Sequence, residues 1–299
     1  MRTVLQLLVN GVTIGSVYAL IAVGLSLVWA TLRSLNFAHG DLYMLGAFAS
    51  LGLGSVVAAT TWNPLLALPL FVIGGIVIAM ALSMGIERVI FRPLRDAPEV
   101  IPILATIGVS MVLQNTMLVW FGTTPHAYPL DMPRGPFMIG DIRFNLLQVS
   151  VIIVTLCLIF GLHTYLSRTR TGRAMRAIAW DRDTAKLMGV NTDALILVAF
   201  GIAGAFAGLA GAFVAFYYGV TTFFMGFLAV VKGFIAAVFG GFGNIRGALL
   251  GGLLLGVFEA LASGFIGGRW RDVVAFALLM VILLTRPTGI LGERLPAKV

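Results

Sequence analysis

Apolar runs dominate the chain. Nine of them, at roughly 4–30, 41–61, 64–86, 101–121, 145–166, 194–218, 224–240, 247–266 and 271–286, are separated by short polar stretches. About 20 consecutive apolar residues cross the hydrocarbon core as a helix. Backbone in lipid must satisfy its own hydrogen bonds, and the alternation of a membrane barrel is absent. The pattern predicts an all-α, polytopic transmembrane helix bundle of eight or nine spans, the eight-span form having one segment re-entrant. The chain reads as a single domain, 1–299.

The polar breaks are unequal. The longest, 167–193, reads SRTRTGRAMRAIAWDRDTAKLMGVNTD and carries six basic residues. A second, 87–99, carries Arg88, Arg92 and Arg95, and the tail carries Arg286, Arg294 and Lys298. With nine alternating spans these breaks share one side with Arg33 and Arg246. Fourteen basic residues then face one way and five the other, namely Arg2, Arg134, Arg143, Arg269 and Arg271. Short basic loops stay in the cytoplasm, so the N-terminus is expected outside and the C-terminus inside. The remaining long break, 122–144, contains Pro125, Pro129, Pro133 and Pro136 and is expected to form an ordered, non-helical external cap.

Composition narrows the class. The 299 residues are 60% hydrophobic and only 11% charged, with a mean hydropathy of +1.03. A soluble domain carries about 25% charged residues, so this chain cannot cover its surface with charge in water. The net charge of +8 is explained by loop arginines rather than by a nucleic-acid partner. Cys157 is the single cysteine, so no disulfide forms within the chain. The first run is too long for a signal peptide. None of Lys186, Lys232 and Lys298 follows a glycine, which excludes a P-loop.

Several positions stand out. The 167–193 break reads as two short helices, Arg173–Trp180 and a second ending near Gly189, with Asp181 or Asp183 as cap. Met175, Ile178 and Ala179 share one face of the first, and Ala185 and Met188 one face of the second. Spacing alone leaves two readings open: a docking element for a partner protein, or a basic loop on lipid headgroups. In the sixth run Ala203, Ala207, Gly211 and Ala215, and separately Gly204, Gly208 and Ala212, form small-residue faces for close helix packing. Similar small-residue features in runs 1–3 and 6–8 suggest an inverted repeat, although glycine pairs are frequent in this chain. In the stretch Asn36–Gly40, Asn36 is a candidate cap, as is Asp41 after it. Asn36 and His39 are also candidates for an interfacial or pathway role. No second ligand lies at metal spacing from His39, so no metal site is expected. Lys232 and Glu259 lie near the middle of apolar runs. A charge at bilayer centre costs about 2.5–3.5 kcal/mol on insertion scales. They are therefore expected to face the interior, as a structural pair or as part of a pathway.

Taken together, several stretches resemble the branched-chain amino acid ABC transporter permeases, in particular their LivH-like branch. They are NGVTIGSVYALIAVGLSLVWA (10–30), NFAHGDLYMLGAF (36–48), ERVIFRPLR (87–95), LATIGVSMVLQN (104–115), GRAMRAIAWDRDTAKLMGV (172–190), VKGFIAAVFGGFGNIRGALLGG (231–252) and RPTGILGE (286–293). The resemblance implies a multi-pass permease of the bacterial inner membrane, paired with a second, similar permease subunit. It also implies two cytoplasmic ATPase subunits, which bind the ATP, and a periplasmic substrate-binding protein. It tips the 167–193 loop towards coupling, with Arg173, Arg176, Ala177, Ile178, Asp181, Ala185 and Gly189 expected to meet the ATPase. No cofactor in this chain and no enzymatic activity are expected. Urea or short amides are the alternative substrates within the family. An ion-coupled secondary transporter is the rival of another class, and a non-transporting scaffold is a third reading.

Overall fold

The first helix buries almost everything it has. In the computed structural model, which describes residues 2–58, 64–98, 100–128, 136–139 and 142–292, α1 (Arg2–Leu32) runs through the centre of a helical bundle. It is followed by α2 (His39–Ala58), α3 (Pro64–Ile86), α4 (Val100–Phe121), α5 (Leu146–Arg168), α6 (Arg170–Trp180), α7 (Arg182–Leu187), α8 (Thr192–Tyr218), α9 (Met225–Gly240), α10 (Ile245–Phe265) and α11 (Arg271–Thr285). Apart from α6 and α7, these helices coincide with the nine apolar runs to within a few residues. Six of them, α1, α3, α4, α5, α8 and α10, are long and apolar enough to cross a membrane; α9 is a shorter apolar helix of 16 residues. The protein is therefore an all-α, multi-pass membrane protein. Arg134, Pro129, Pro133, Arg294 and Lys298 lie outside the described residues.

Small residues set the packing. The longest contact is between α1 and α10, where Gly11 and Gly15 lie on the main chain of Gly252–Val257, and Gly252 lies on Ala19. Side chains larger than hydrogen would separate these backbones. The second-longest contact pairs α3 with α8, where Gly208 abuts Gly75 and Ala79, and Gly204 abuts Ser83. Ser83 adds a 2.7 Å hydrogen bond to the Phe200 carbonyl. Along the same side of α8, Gly211 meets Tyr43 of α2, and Gly46 of α2 meets Gly208. Helices α4, α5 and α11 pack on the outside and leave most of their apolar surface open.

The helices α2 and α9 start inside the bundle. The His39 ring lies against Gly24, eight residues before the end of α1. The segment between them therefore turns back along α1 by about 12 Å, at 1.5 Å per residue. Gly40 in turn abuts Gly226 in the first turn of α9. Neither Asn36 nor Asp41 acts as the expected cap. Both side-chain polar atoms of Asn36 are buried without a hydrogen bond, and Asp41 instead accepts from Gln114 of α4 at 3.0 Å.

The end opposite the arginine loop carries two short antiparallel ribbons. Strand β1 (His126–Ala127) pairs with β4 (Val220–Thr221), and β2 (Pro136–Ile139) pairs with β3 (Ile142–Asn145). The expected non-helical cap is thus partly strand. Asn145 and Gln148 form a capping box that starts α5. At the arginine end, Ile290 and Leu291 donate main-chain hydrogen bonds to the carbonyls of Phe239 and Gly240, tying the tail to the last turn of α9.

Candidate functional site

Three sites are built on this frame. The first is the α6–α7 pair. Thr169 caps α6 by accepting from Gly172 N at 3.0 Å. Asp181 ends α6 and caps α7, accepting from Asp183 N and Thr184 N at 3.0 and 3.2 Å. Of the two candidate caps, Asp181 is the one used. Gly189 then turns the chain with φ of +80°, a region that suits glycine. In α6, Gly172, Met175 and Ile178 are buried against the bundle, while Arg173, Arg176 and Ala177 face outward. The Arg176 guanidinium also donates to the Leu166 carbonyl.

Of the expected contact residues, Ile178 and Ala185 are buried against the chain's own bundle. Ala185 and Met188 do not share an environment, since Met188 is 80% exposed. The reason is that an amphipathic helix on a bundle turns its apolar face inward, so the outer edge is formed by what spacing leaves over. Here that edge is apolar as well: Trp180, Leu187 and Met188 stand open, with Leu187 at 88%.

A second set of contacts anchors this pair. After α3 the chain makes a π-helical turn, Glu87–Phe91, in which Arg92 N bonds to the Glu87 carbonyl at 2.8 Å. The wider turn places Glu87 inward, where its carboxylate is buried and ion-paired with Arg95. Arg95 also pairs with Asp193 at the start of α8, and Arg92 reaches the same carboxylate at 2.9 Å. Arg33, at a φ of +55°, donates to the Ala179 carbonyl at 3.1 Å. A cleft of about 690 Å³ lies between Arg33, Arg95, Trp180 and Arg182. The 87–95 stretch is thus tied to the start of α8, and α6 to the residue that follows α1, and both border the same cleft, which their separation in sequence did not reveal.

The third site is in the middle of the bundle. Lys232 and Glu259 do pair, at 2.9 Å. Glu259 is 1% exposed, and its other oxygen accepts from Tyr18 OH at 2.8 Å. Lys232 also donates to Tyr18 OH at 3.3 Å and pairs with Asp272 at 2.9 Å. Asp272 and Tyr18 were not foreseen. Asp272 opens the last apolar run among loop charges, and Tyr18 reads as an ordinary apolar-run aromatic. Beside Lys232 is a cavity of about 130 Å³. Ile14, Val17, Ile21, Phe213, Val214 and Leu228 give it an apolar wall, and Tyr18, Tyr43, Tyr217, Tyr218 and Lys232 a polar one. His39 is fully buried against Gly24 and outside this lining. Among the described residues, no cluster of His, Cys, Asp and Glu could hold a metal ion.

An all-α membrane bundle with a capped helix pair at one end and a polar-walled cavity at its centre has the design of a transport protein. Residues 7–283 match the family model for the permease component of the branched-chain amino acid transport system, and the chain belongs to that family. It is 42% identical to the high-affinity branched-chain amino acid transport system permease protein BraD of Pseudomonas aeruginosa, over 97% of this chain and 96% of that protein. It is 41% identical to the high-affinity branched-chain amino acid transport system permease protein LivH of Escherichia coli K12, with the same two coverages. A probable branched-chain amino acid transport permease, LivH of Methanocaldococcus jannaschii, is 26% identical over 96% of this chain and 92% of that protein. These relatives are transport permease components, not enzymes. No solved structure matches the chain.

Proposed function

We propose that this chain is the membrane-spanning permease subunit of an ATP-binding-cassette importer that carries branched-chain amino acids across the bacterial inner membrane. The observation that carries this reading is the near end-to-end similarity to permeases so described. The α6–α7 pair fits the role of coupling element. It is capped at both helix starts, anchored through Arg33 and beside the Arg95–Asp193 pair, and it presents Trp180, Leu187 and Met188 outward. In this reading Arg173, Arg176, Ala177 and Gly189 flank the contact. Ile178 and Ala185 hold the pair to the bundle, and Asp181 fixes the angle between its helices. ATP is bound by two partner ATPases on the arginine-rich, cytoplasmic side. A second permease subunit and a periplasmic binding protein complete the assembly.

The helix pairing also supports eight or nine spans and an inverted repeat. The α1–α10 contact has its counterpart in α8–α3, and α2 and α9 meet at the glycines of their first turns. Relating runs 1–3 to runs 6–8 exchanges these contacts among themselves. The test of function is uptake into vesicles holding the assembled transporter, with leucine, isoleucine, valine, alanine and urea in competition. Saturable, ATP-dependent leucine uptake is expected. Uptake of urea alone would overturn the assignment of substrate.

A further inference from the structure

Lys232 lines the central cavity and pairs, behind that lining, with two carboxylates, Glu259 and Asp272, while Arg271 stands beside Tyr218 of the same lining. The two carboxylates are not equivalent. Glu259 is enclosed and held by Tyr18, so stripping it of its cation would leave an uncompensated buried charge. Asp272 is 57% exposed, and an open pair of this kind is weak. Lys232 can therefore exchange Asp272 for another carboxylate while keeping Glu259. An α-amino acid brings both charges needed for the exchange: its carboxylate replaces Asp272 on Lys232, and its ammonium takes the freed Asp272. The adjoining space of about 130 Å³ has an apolar wall of Ile14, Val17, Ile21 and Val214. Tyr18 and Lys232 are midway along α1 and α9, the depth at which transporters place their substrate sites, and Asp272 reaches Lys232 from the first turn of α11.

We propose that this cavity is a transient substrate site for a branched aliphatic α-amino acid. Lys232 seats the carboxylate in exchange for Asp272, and the Val17–Val214 wall seats the side chain. This rests on the importer reading above and assigns residues to it.

The test uses proteoliposomes containing the whole transporter, with one binding protein supplied in excess so that its own selectivity is common to every variant. Leucine and alanine uptake are measured per assembled complex. Lys232→Gln with Glu259→Gln removes the buried pair together and leaves only Asp272, which is 57% exposed, charged. Transport at least about tenfold below the parent is expected despite assembly, since a hydrogen bond to a charged group is lost. Parental transport would overturn the carboxylate seat. Asp272→Asn keeps Lys232 paired with Glu259 and provides the same reading if the double variant does not assemble: a similar loss is expected, and an unchanged rate overturns the exchange. Val214→Phe fills the wall and should lower the leucine-to-alanine ratio by at least about tenfold. Val214→Ala, which widens it, should raise phenylalanine uptake relative to leucine and serves if the larger residue is not tolerated. Unchanged ratios overturn the side-chain pocket. If the parent transporter carries neither amino acid, the importer reading itself fails, and this proposal with it.

Discussion

Gly40 and Gly226 meet backbone to backbone, each within reach of the other's carbonyl oxygen, so that a methyl group on either would collide with main chain. Main chain cannot swing aside as the end of a long side chain can. Gly40→Ala or Gly226→Ala should therefore push the first turns of α2 and α9 apart. Overpacking of this kind costs about 1–3 kcal/mol. A lower thermal midpoint for the purified protein checks this, and an unchanged midpoint would mean that the two turns are free to separate.

Much of this arrangement is legible in the sequence. Repeated small residues in α8 mark two packing faces, and Asp181 marks the break between the coupling helices. Lys232 and Glu259 announce themselves as charges within apolar runs. The relations that were not legible are those in which a charge in a loop reaches into the bundle. Asp272 and Arg95 look like ordinary interfacial residues until the fold brings Lys232 and Glu87 to them. Asn36 has the chemistry of a cap but lies where the chain has turned back inside, so its position in the sequence misleads. The burial of Ile178 and Ala185 follows from which side of α6–α7 the bundle occupies, and spacing groups Ile178 with Met175 but cannot say which face of either helix turns inward.

The Lys232–Glu259 pair should behave as a unit during assembly. Lys232→Met leaves Glu259 buried and uncompensated, a change that costs about 3–5 kcal/mol. The amount of assembled transporter recovered should fall. Adding Glu259→Gln should restore most of it. A double variant recovered no better than the single one would show that the two charges act separately.

A parallel case is Arg95. It joins Glu87 of the π-helical turn to Asp193 at the start of α8. Arg95→Met should lower stability more than Arg92→Met, because Arg95 neutralises a buried carboxylate and Arg92 lies half exposed. Thermal unfolding of the two variants side by side decides the point, and equal losses would count against the burial argument.

At the coupling edge, Leu187→Asp and Met188→Asp place charges on side chains that are 88% and 80% exposed. Normal amounts of folded permease, with ATP hydrolysis no longer stimulated by substrate-loaded binding protein, are expected. Ala185→Leu should instead lower the yield, because Ala185 is buried. Retained stimulation in both aspartate variants would move the ATPase contact elsewhere.

Orientation can be read with cysteines. In a Cys157→Ala background, cysteine at Arg269 should react with an impermeant reagent added to intact cells, and cysteine at Leu187 only after the membrane is opened. Both positions are exposed. Labelling of both from outside would exclude the alternating nine-span arrangement.

The pairing of α1 with α10 also has a consequence in time. Gly15 and Gly256 lie against each other but are 241 positions apart. At about 5–20 residues per second, roughly 10–50 s of synthesis separate them. The row of small residues on α1 thus faces lipid, or whatever shields it, until α10 has been made.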